Sequence, residues 1–290
     1  MMNASGEINA LLNLIEDPDE EIFQSVKKRF IDFGKEAIPI LQEHKEFNAD
    51  EEQQKRIDHI ISSISFCTLS NSIKEWKDNE DEEMLEAAAI LSVYFNNEFD
   101  REEFLFEIEK LRKSIWLELN DYLTPLEEIN VINRIIFGYY QYKGLETDYT
   151  QTKQFDLSQL IQDKKSNTYP LGALYLAMSQ MLGIPVKPVA LPKQNLLAYV
   201  EDSGPFQSDR VEKILFFIDP FNGQIFTHRD IEIYLKKINA GISPRSIKAT
   251  NTHFYLHQWI SEIAASEQER GNIENYDELM NIASMLNAEQ

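Results

Sequence analysis

The hydrophobic periodicity of this sequence changes near Gly183, and that change limits the folds the chain can adopt. Before Gly183, apolar side chains recur every three or four positions, as on one face of a helix, for example at Ile8, Leu11 and Ile15. After Gly183, three short runs are rich in aliphatic and β-branched residues, and these lie at 186–191, 196–200 and 214–218. We therefore predict an α+β fold: an N-terminal α-helical array, a small antiparallel sheet after Gly183, and closing helices.

The first 40 residues carry the signals of two successive helices. The run Asp17-Pro18-Asp19 breaks the first helix and caps the second, which ends at Gly34. This order, followed by the Gly-x-x-Ala-Ile-Pro segment that starts at Gly34, looks like a HEAT-type helical hairpin. One such unit must stack on neighbours to bury its apolar face. Helical patterns at 51–66 and 82–95 continue the array.

The second half contains turns and further helices. Turn-prone residues follow the three predicted strands at 192–195, 202–205 and 219–223. Helical patterns then return at 229–238, 253–268 and 276–286. The last two helices, which are joined at Gly271-Asn272, resemble a single TPR-like hairpin. We predict three regions: a HEAT-like helical region at 1–79, a core with its leading helices at 80–248, and the TPR-like hairpin at 249–290.

Composition excludes several functional classes. The 290 residues carry a net charge of −21, from 49 acidic and 28 basic side chains, which disfavours binding to nucleic acid or to an anionic membrane. Residues 1–125 hold 29 of the acidic and 13 of the basic residues, so an acidic surface there would favour a basic protein or peptide partner. The single cysteine excludes a disulfide framework and a multi-thiolate zinc site.

Motifs for membrane insertion, secretion, cofactors and metals are also missing from the sequence. No apolar stretch reaches the length of about 18 residues that a membrane span needs, and the N-terminus has no secretory pattern, so we predict a cytoplasmic protein. No glycine-rich phosphate loop occurs. His253 and His257 could share one helix face, but no third ligand is evident. We therefore predict neither a cofactor nor a metal.

The segment 166–201, followed by Ile-Leu-Phe-Phe-Ile-Asp-Pro-Phe-Asn-Gly at 214–223, carries a family resemblance. A helix ending in Leu182-Gly183-Ile184-Pro185, two strands, and a third strand ending in Asp219-Pro220 resemble the transglutaminase-like core. The resemblance is to its bacterial, TPR-linked branch, which is described as regulators of sirC expression and as relatives of an invasion regulator. It covers about residues 80–270, and many members of that branch lack the catalytic thiol.

The resemblance implies where a catalytic triad would lie. In active relatives a cysteine begins the core helix, fifteen residues before the glycine of Gly-Ile-Pro, and this position is Thr168 here. The histidine follows the proline that opens the second strand, which aligns with Gln194, and the acid corresponds to Asp219. The three positions therefore form a vestigial triad, and we expect no catalytic residue among them. A glutamine cannot act as the base that a threonine nucleophile needs.

Each of these residues also has a structural interpretation. Thr168 is a candidate N-cap of the core helix, for which Asn167 competes, and Asp219 is suited to capping a turn. Cys67 follows an apolar helical run, so we expect it to be buried and inert. If the vestigial cleft still binds something, Tyr169 and Tyr175 would line it together with Gln194, and His228 would lie near Asp219.

Two functions from different classes fit the sequence. The favoured one is a non-catalytic, transglutaminase-like protein that acts as a protein-interaction or regulatory module for a protein or peptide partner. The alternative is an amide hydrolase or acyl transferase with an altered site formed by Thr168, Gln194 or His228, and Asp219. Convergence of these side chains in an open cleft would support the enzyme.

Overall fold

The computed structural model of the protein describes five stretches of the chain, which are residues 2–47, 50–79, 83–201, 213–242 and 246–286. Within them the α-helices are α1 (Met2–Leu14), α2 (Glu20–Phe33), α3 (Ile38–Glu46), α4 (Glu51–Lys77), α5 (Met84–Phe95), α6 (Arg101–Trp116), α7 (Pro125–Asn133), α8 (Leu157–Asp163), α9 (Thr168–Leu182), α10 (His228–Lys237), α11 (Thr252–Glu269) and α12 (Ile273–Ser284). The strands are β1 (Lys143–Gly144), β2 (Lys165–Ser166), β3 (Val186–Leu191), β4 (Gln194–Glu201), β5 (Lys213–Asp219) and β6 (Gln224–Phe226). The predicted α+β fold is confirmed.

The chain divides into two compact units, Met1–Glu75 and Trp76–Gln290. The division into regions at 1–79, 80–248 and 249–290 remains a prediction, as do the HEAT-like and TPR-like assignments. Among the residues that the structure describes, none of the helices combines the length and the apolar character that crossing a bilayer requires.

Helices in the first unit form where the sequence places their caps. The Asp19 carboxylate accepts a hydrogen bond from the backbone N–H of Glu21 and caps α2, and Gly34 ends that helix with a φ of 66°. Side chains from all four helices share one buried apolar cluster, and these are Ile8, Leu12, Ile15, Phe23, Val26, Phe30, Ala37, Ile38, Leu41, Ile57, Ile60 and Ile64.

The expectation that Cys67 is buried is wrong, because the structure places it on an exposed face of α4. This helix does not stop near residue 66 but continues to Lys77. Its buried positions include Ile64, Phe66 and Leu69, whereas Cys67 lies between these positions and accepts a hydrogen bond from Asn71 at 3.7 Å. An apolar run before a residue therefore does not determine which face of the helix that residue occupies.

The second unit is built around helix α9. Every residue of this helix from Tyr169 to Ser179 is buried, which is the pattern of a helix surrounded by protein on all sides. Leu171, Leu174 and Met178 are buried, while Leu182 is only half-buried. Gly183 ends the helix with a φ of 70°, a conformation that suits glycine.

Strands β3 to β6 form one antiparallel sheet in chain order. The loop between β3 and β4 is shorter than the predicted turn at 192–195: Gln194 already pairs with Leu191, which leaves only Pro192 and Lys193 unpaired. The predicted turn at 202–205 lies outside the described residues. Strand β6 and the short parallel pair β1–β2 were not predicted, because segments of two or three residues carry no readable periodicity.

Helices α11 and α12 form the predicted C-terminal hairpin. Buried Glu267 holds its turn by accepting hydrogen bonds from Arg270 at 2.9 Å and from the Asn272 side chain at 2.7 Å. Gly271 supplies the left-handed backbone conformation that this turn needs, with a φ of 83°. The second helix starts at Ile273, three residues earlier than expected.

Candidate functional site

The N-terminus of α9 is the position at which the family resemblance places a nucleophile. Asn167 caps this helix, because its Oδ1 accepts a hydrogen bond from the backbone N–H of Tyr169 at 3.0 Å. Thr168 is the first helical residue and is half-buried. Of the two capping candidates in the sequence, the structure therefore selects Asn167.

The residue of β4 that approaches this helix end is Asn195. Its Nδ2 donates hydrogen bonds to the backbone carbonyl of Thr168 at 3.4 Å and to the Tyr255 hydroxyl at 3.0 Å. The same hydroxyl donates to the backbone carbonyl of Tyr169 at 2.8 Å. A neutral amide and a phenol thus hold the start of α9 against the sheet and α11.

The alternation of side chains along β4 explains why Gln194 is not in that position. Leu196, Ala198 and Val200 belong to the apolar cluster that includes residues of α10. Side chains in a strand point to opposite faces in turn, so Gln194 shares their face and Asn195 takes the other. Gln194 is exposed at the start of the strand. The two-residue turn at Pro192 and Lys193 fixes the register between β3 and β4, and this register decides which strand face each residue takes. Alignment of the sequence to Pro192 alone does not show that register.

Asp219 ends β5 and caps the turn that follows. Its Oδ1 accepts a hydrogen bond from the backbone N–H of Phe221 at 2.9 Å, and its backbone carbonyl accepts one from Gly223 at 2.8 Å. Burial raises the pKa of this carboxyl, and the Phe221 N–H acts in the opposite direction. The observed contacts are those of the turn-capping interpretation.

His228 lies at the start of α10 and is exposed. The edge of its ring faces Phe217, with 5.3 Å between the ring centroids. Within the described part of the chain, no hydrogen bond links Thr168, Gln194, Asp219 and His228 to one another. The structure therefore does not bring these four side chains into a connected acid–base arrangement.

An open cleft of about 400 Å³ lies beside the start of α9, between the β3–β4 hairpin and α11. Tyr169 and Gln194 line it, as the cleft hypothesis expects. Tyr175 does not line it: this residue is fully buried, and its hydroxyl donates to Asn133 Oδ1 at 3.1 Å. His228 is not part of the lining either. Because α9 is buried on all sides, Tyr175 is enclosed by protein. Its nearness to Thr168 in the sequence therefore does not place it in the cleft.

Helix α11 supplies a wall of the cleft that sequence reasoning did not identify. Phe254, Tyr255 and Gln258 line the cleft from this helix. Beyond them, Glu262 accepts a hydrogen bond from the Tyr169 hydroxyl at 3.3 Å and one from Tyr149 at 2.6 Å. Burial raises the pKa of Tyr169, and the negative charge of Glu262 adds to the shift. The α11 residues lie more than 80 positions from Tyr169 in the sequence, and no local motif marks them.

The two histidines considered for metal binding, His253 and His257, both lie on α11. The His253 ring meets Trp76 edge-on, with 5.0 Å between ring centroids. Burial lowers the pKa of His257, which lies four residues further along α11. In the chain segments that the structure describes, no group of three or more histidine, cysteine or acidic side chains is arranged to hold a metal ion.

Comparison with known proteins places this geometry in a wider context. A family model described as the transglutaminase-like superfamily matches residues 102–260. Similar curated proteins include a UPF0162 protein of Buchnera aphidicola, 21% identical over 63% of this chain and 59% of that protein. A UPF0162 protein of Vibrio cholerae is 22% identical over 62% of this chain and 64% of that protein. Protein SirB1 of Salmonella typhimurium is 23% identical over 48% of this chain and 47% of that protein.

The chain spans only about three fifths of the length of the first of these curated relatives. No solved structure matches it.

Proposed function

Because the chain belongs to the transglutaminase-like superfamily, we propose that it is a non-catalytic member that acts as a protein-interaction or regulatory module. The observation that carries this proposal is the pair of residues at the start of α9. Thr168 stands at the nucleophile position, and the strand residue that reaches it is Asn195, which bonds to its backbone carbonyl rather than to its side chain. A regulatory role is what the family resemblance implies.

The chemistry of amide attack supports this reading. A thiol populates its reactive form near neutral pH far better than a hydroxyl, and a hydroxyl needs an adjacent base. An amide such as that of Asn195 accepts no proton at neutral pH, and none of the described residues that line the cleft is a histidine or a cysteine. Asp219 is engaged in its own turn. In a catalytic triad the acid orients the imidazole ring of the base, so without a histidine in that position Asp219 would have no ring to orient.

The alternative function, an amide hydrolase or acyl transferase that uses Thr168, is less well supported. It requires Gln194 or His228 to act with Asp219 on Thr168. Gln194 belongs to the strand face opposite Asn195, and His228 packs against Phe217 on that same opposite face. No observation favours this enzyme over the interaction module.

The cleft is the feature best suited to engage a partner. It is mostly apolar, with Tyr169, Phe254 and Tyr255 as aromatic contacts, and its polar lining residues are Lys193, Gln194, Asn195 and Gln258. An apolar concavity with a few polar groups is typical of binding sites. An extended protein or peptide segment fits this character.

Activity assays test the non-catalytic half of the proposal. Amine incorporation into a glutamine-bearing protein and a panel of peptide hydrolyses would be measured for the wild type and for Thr168→Ala, beside an active transglutaminase. We expect no turnover above the blank in either. Turnover in the wild type that is lost in Thr168→Ala would overturn the proposal.

A gain-of-function design sharpens the same test. The double variant Thr168→Cys with Asn195→His places a thiol and an imidazole at the two residues that meet, whereas Thr168→Cys with Gln194→His is the matched control on the other strand face. We expect neither to approach an active relative, because the geometry around the reacting groups must also be correct.

Site-specific crosslinking tests the interaction half. A photoreactive amino acid would replace Gln194 at the rim of the cleft and, as a control, Ile233, which is 57% exposed on α10 outside the cleft lining. We expect one reproducible protein adduct in the native cell from position 194 and none of the same mass from position 233. Equal adducts from both positions would argue against the cleft as the interaction site.

A further inference from the structure

A second groove, separate from the cleft, lies between the 96–100 loop, α6 and the end of α8. Its volume is about 350 Å³. Three apolar side chains contribute to its lining, and these are Phe99, Phe104 and Ile161. Four carboxylates surround them, and these are Glu98, Asp100, Glu103 and Glu107. The groove thus combines an apolar part with an acidic rim.

Three of the four carboxylates form no ion pair with any residue that the structure describes. Glu107 pairs with Lys110 at 3.3 Å, and Asp100 caps α6 by accepting a hydrogen bond from the backbone N–H of Glu103 at 3.0 Å. In the described portions of the chain, no basic side chain comes within ion-pair distance of Glu98, Asp100 or Glu103. A cation that enters the groove therefore meets carboxylates that are not already paired.

The lysine that lines the groove is engaged by two tyrosines. The Lys164 ammonium donates a hydrogen bond to the Tyr142 hydroxyl at 2.9 Å and lies 4.5 Å from the centroid of that ring. The Tyr140 ring lies on the same ammonium at 5.7 Å. Lys164 follows α8 as its C-cap, in a left-handed backbone conformation with a φ of 59° that few lysines adopt. The Lys164 ammonium also interacts electrostatically with Glu107, so among the described residues the rim carboxylates without a basic partner are Glu98, Asp100 and Glu103.

We propose that this groove docks an arginine-bearing segment of a partner protein. The planar guanidinium would lie against Phe99 and donate hydrogen bonds to the carboxylates of Glu98 and Glu103, while an apolar neighbour in the same segment would contact Ile161. The negative charge of the rim favours a basic occupant. The apolar part of the groove favours a segment that also carries an apolar side chain over one that is only charged. The inference rests on the proposed function, because it names the partner's chemistry for an interaction module.

Fluorescence anisotropy with defined peptides tests the groove on the full chain. The probe is a labelled pentapeptide with two arginines on each side of a central leucine, compared with the same peptide carrying a central glycine and with one in which lysine replaces arginine. We expect the leucine peptide to bind several-fold more tightly than the glycine peptide. The lysine peptide should be weaker, because it lacks the planar group.

A pair of variants on the first turn of α6 distinguishes binding in the groove from non-specific attraction of a basic peptide to an acidic protein. Glu103→Gln removes a carboxylate of the groove, and Glu102→Gln removes an exposed neighbour that does not line it. We expect Glu103→Gln to weaken binding about tenfold and Glu102→Gln to change it less than about twofold. Equal losses in both variants, or no difference between the leucine and glycine peptides, would overturn the groove as a docking site.

A third variant keeps the acidic rim of the groove and fills its volume. Gln162→Trp fills the groove from the exposed side of α8 and should reduce binding of the leucine peptide as strongly as Glu103→Gln. Undiminished binding would contradict insertion into the groove. The peptide measurements and the activity assays are independent of each other. Absence of peptide binding would overturn the groove and not the non-catalytic assignment, whereas turnover in the assays would overturn the non-catalytic assignment and not the peptide result.

Discussion

At the level of single residues, a close contact between Gly172 and Tyr255 ties α9 to α11. The Tyr255 hydroxyl, fully buried, is shared between the Asn195 side chain and the Tyr169 carbonyl. It reaches them by passing over Gly172, where a Cβ atom would lie 2.1 Å from the hydroxyl oxygen. Burial raises the pKa of Tyr255, so the hydroxyl remains a donor throughout the neutral range.

We expect Gly172→Ala to lower the free energy of unfolding by about 1–3 kcal/mol, because the added methyl must displace Tyr255 or bend α9. This outweighs the helix-propensity gain of about 0.5–1 kcal/mol that alanine brings to an ordinary helical position. The control is Gly138→Ala, where the nearest heavy atom to a Cβ is Arg134 Cγ at 3.9 Å. Chemical denaturation measures both, and equal stability of the two variants would contradict the tight contact.

Because the two tyrosines that donate to Glu262 have raised pKa values, we expect the stability of the fold to fall at alkaline pH. Burial raises the pKa of Tyr149 to about 12, and its hydrogen bond to Glu262 adds to the shift. A raised folded-state pKa means that this contribution is complete below the ordinary tyrosine pKa of 10.0 and is lost as the pH rises through about 12.

Replacing Tyr149 with phenylalanine should therefore make the stability fall less steeply over that range, as followed by denaturation at several pH values. The control is Tyr122→Phe, at a residue that is 94% exposed, and it should leave the steepness unchanged. A wild-type profile that Tyr149→Phe does not alter would show that the Tyr149 hydroxyl does not carry the effect.

At the level of elements, α9 depends on its first residues because the rest of it is buried. The Asn167 side chain satisfies the backbone N–H of Tyr169, and its own Nδ2 has no hydrogen-bond partner among the described residues. Capping therefore comes from one oxygen atom, and the amide nitrogen contributes nothing further. The cap also sets the orientation of the Thr168 and Tyr169 carbonyls that meet Asn195 and Tyr255.

Removal of this cap in Asn167→Ala should lower the free energy of unfolding by about 1 kcal/mol. The adjacent change Thr168→Ala removes no cap and should cost less than about 0.5 kcal/mol. Thermal and urea denaturation of the two variants would distinguish the capping residues. A larger loss in Thr168→Ala than in Asn167→Ala would reverse the assignment.

At the level of the whole molecule, the first unit has an apolar core of its own. The buried cluster that runs from Ile8 to Ile64 draws on α1 to α4, and the second unit is organised around α9. Domains with independent cores are expected to fold separately when the chain is cut between them.

We therefore expect a chain that begins at Trp76 to fold without residues 1–75. Circular dichroism should show retained helix and strand, and unfolding in urea should remain a single cooperative transition. The measurement would be paired with the full chain under the same conditions. A truncated chain that binds hydrophobic dyes and unfolds without cooperativity would show that the second unit needs the first.

Local patterns in the sequence were sufficient to predict most of the helices and strands. They were not sufficient to predict which side chains of those helices and strands are buried or reach the cleft. Periodicity and caps predicted helix α9 and the first strands of the sheet, because a helix end or a strand run depends on neighbouring residues. The position of Asn195 opposite Thr168, the burial of Tyr175 and the exposure of Cys67 depended on strand register and on packing between distant segments. Helix α11 completes the cleft from more than 80 residues away, and only tertiary structure brings those side chains together, since nothing in the local sequence encodes that distance.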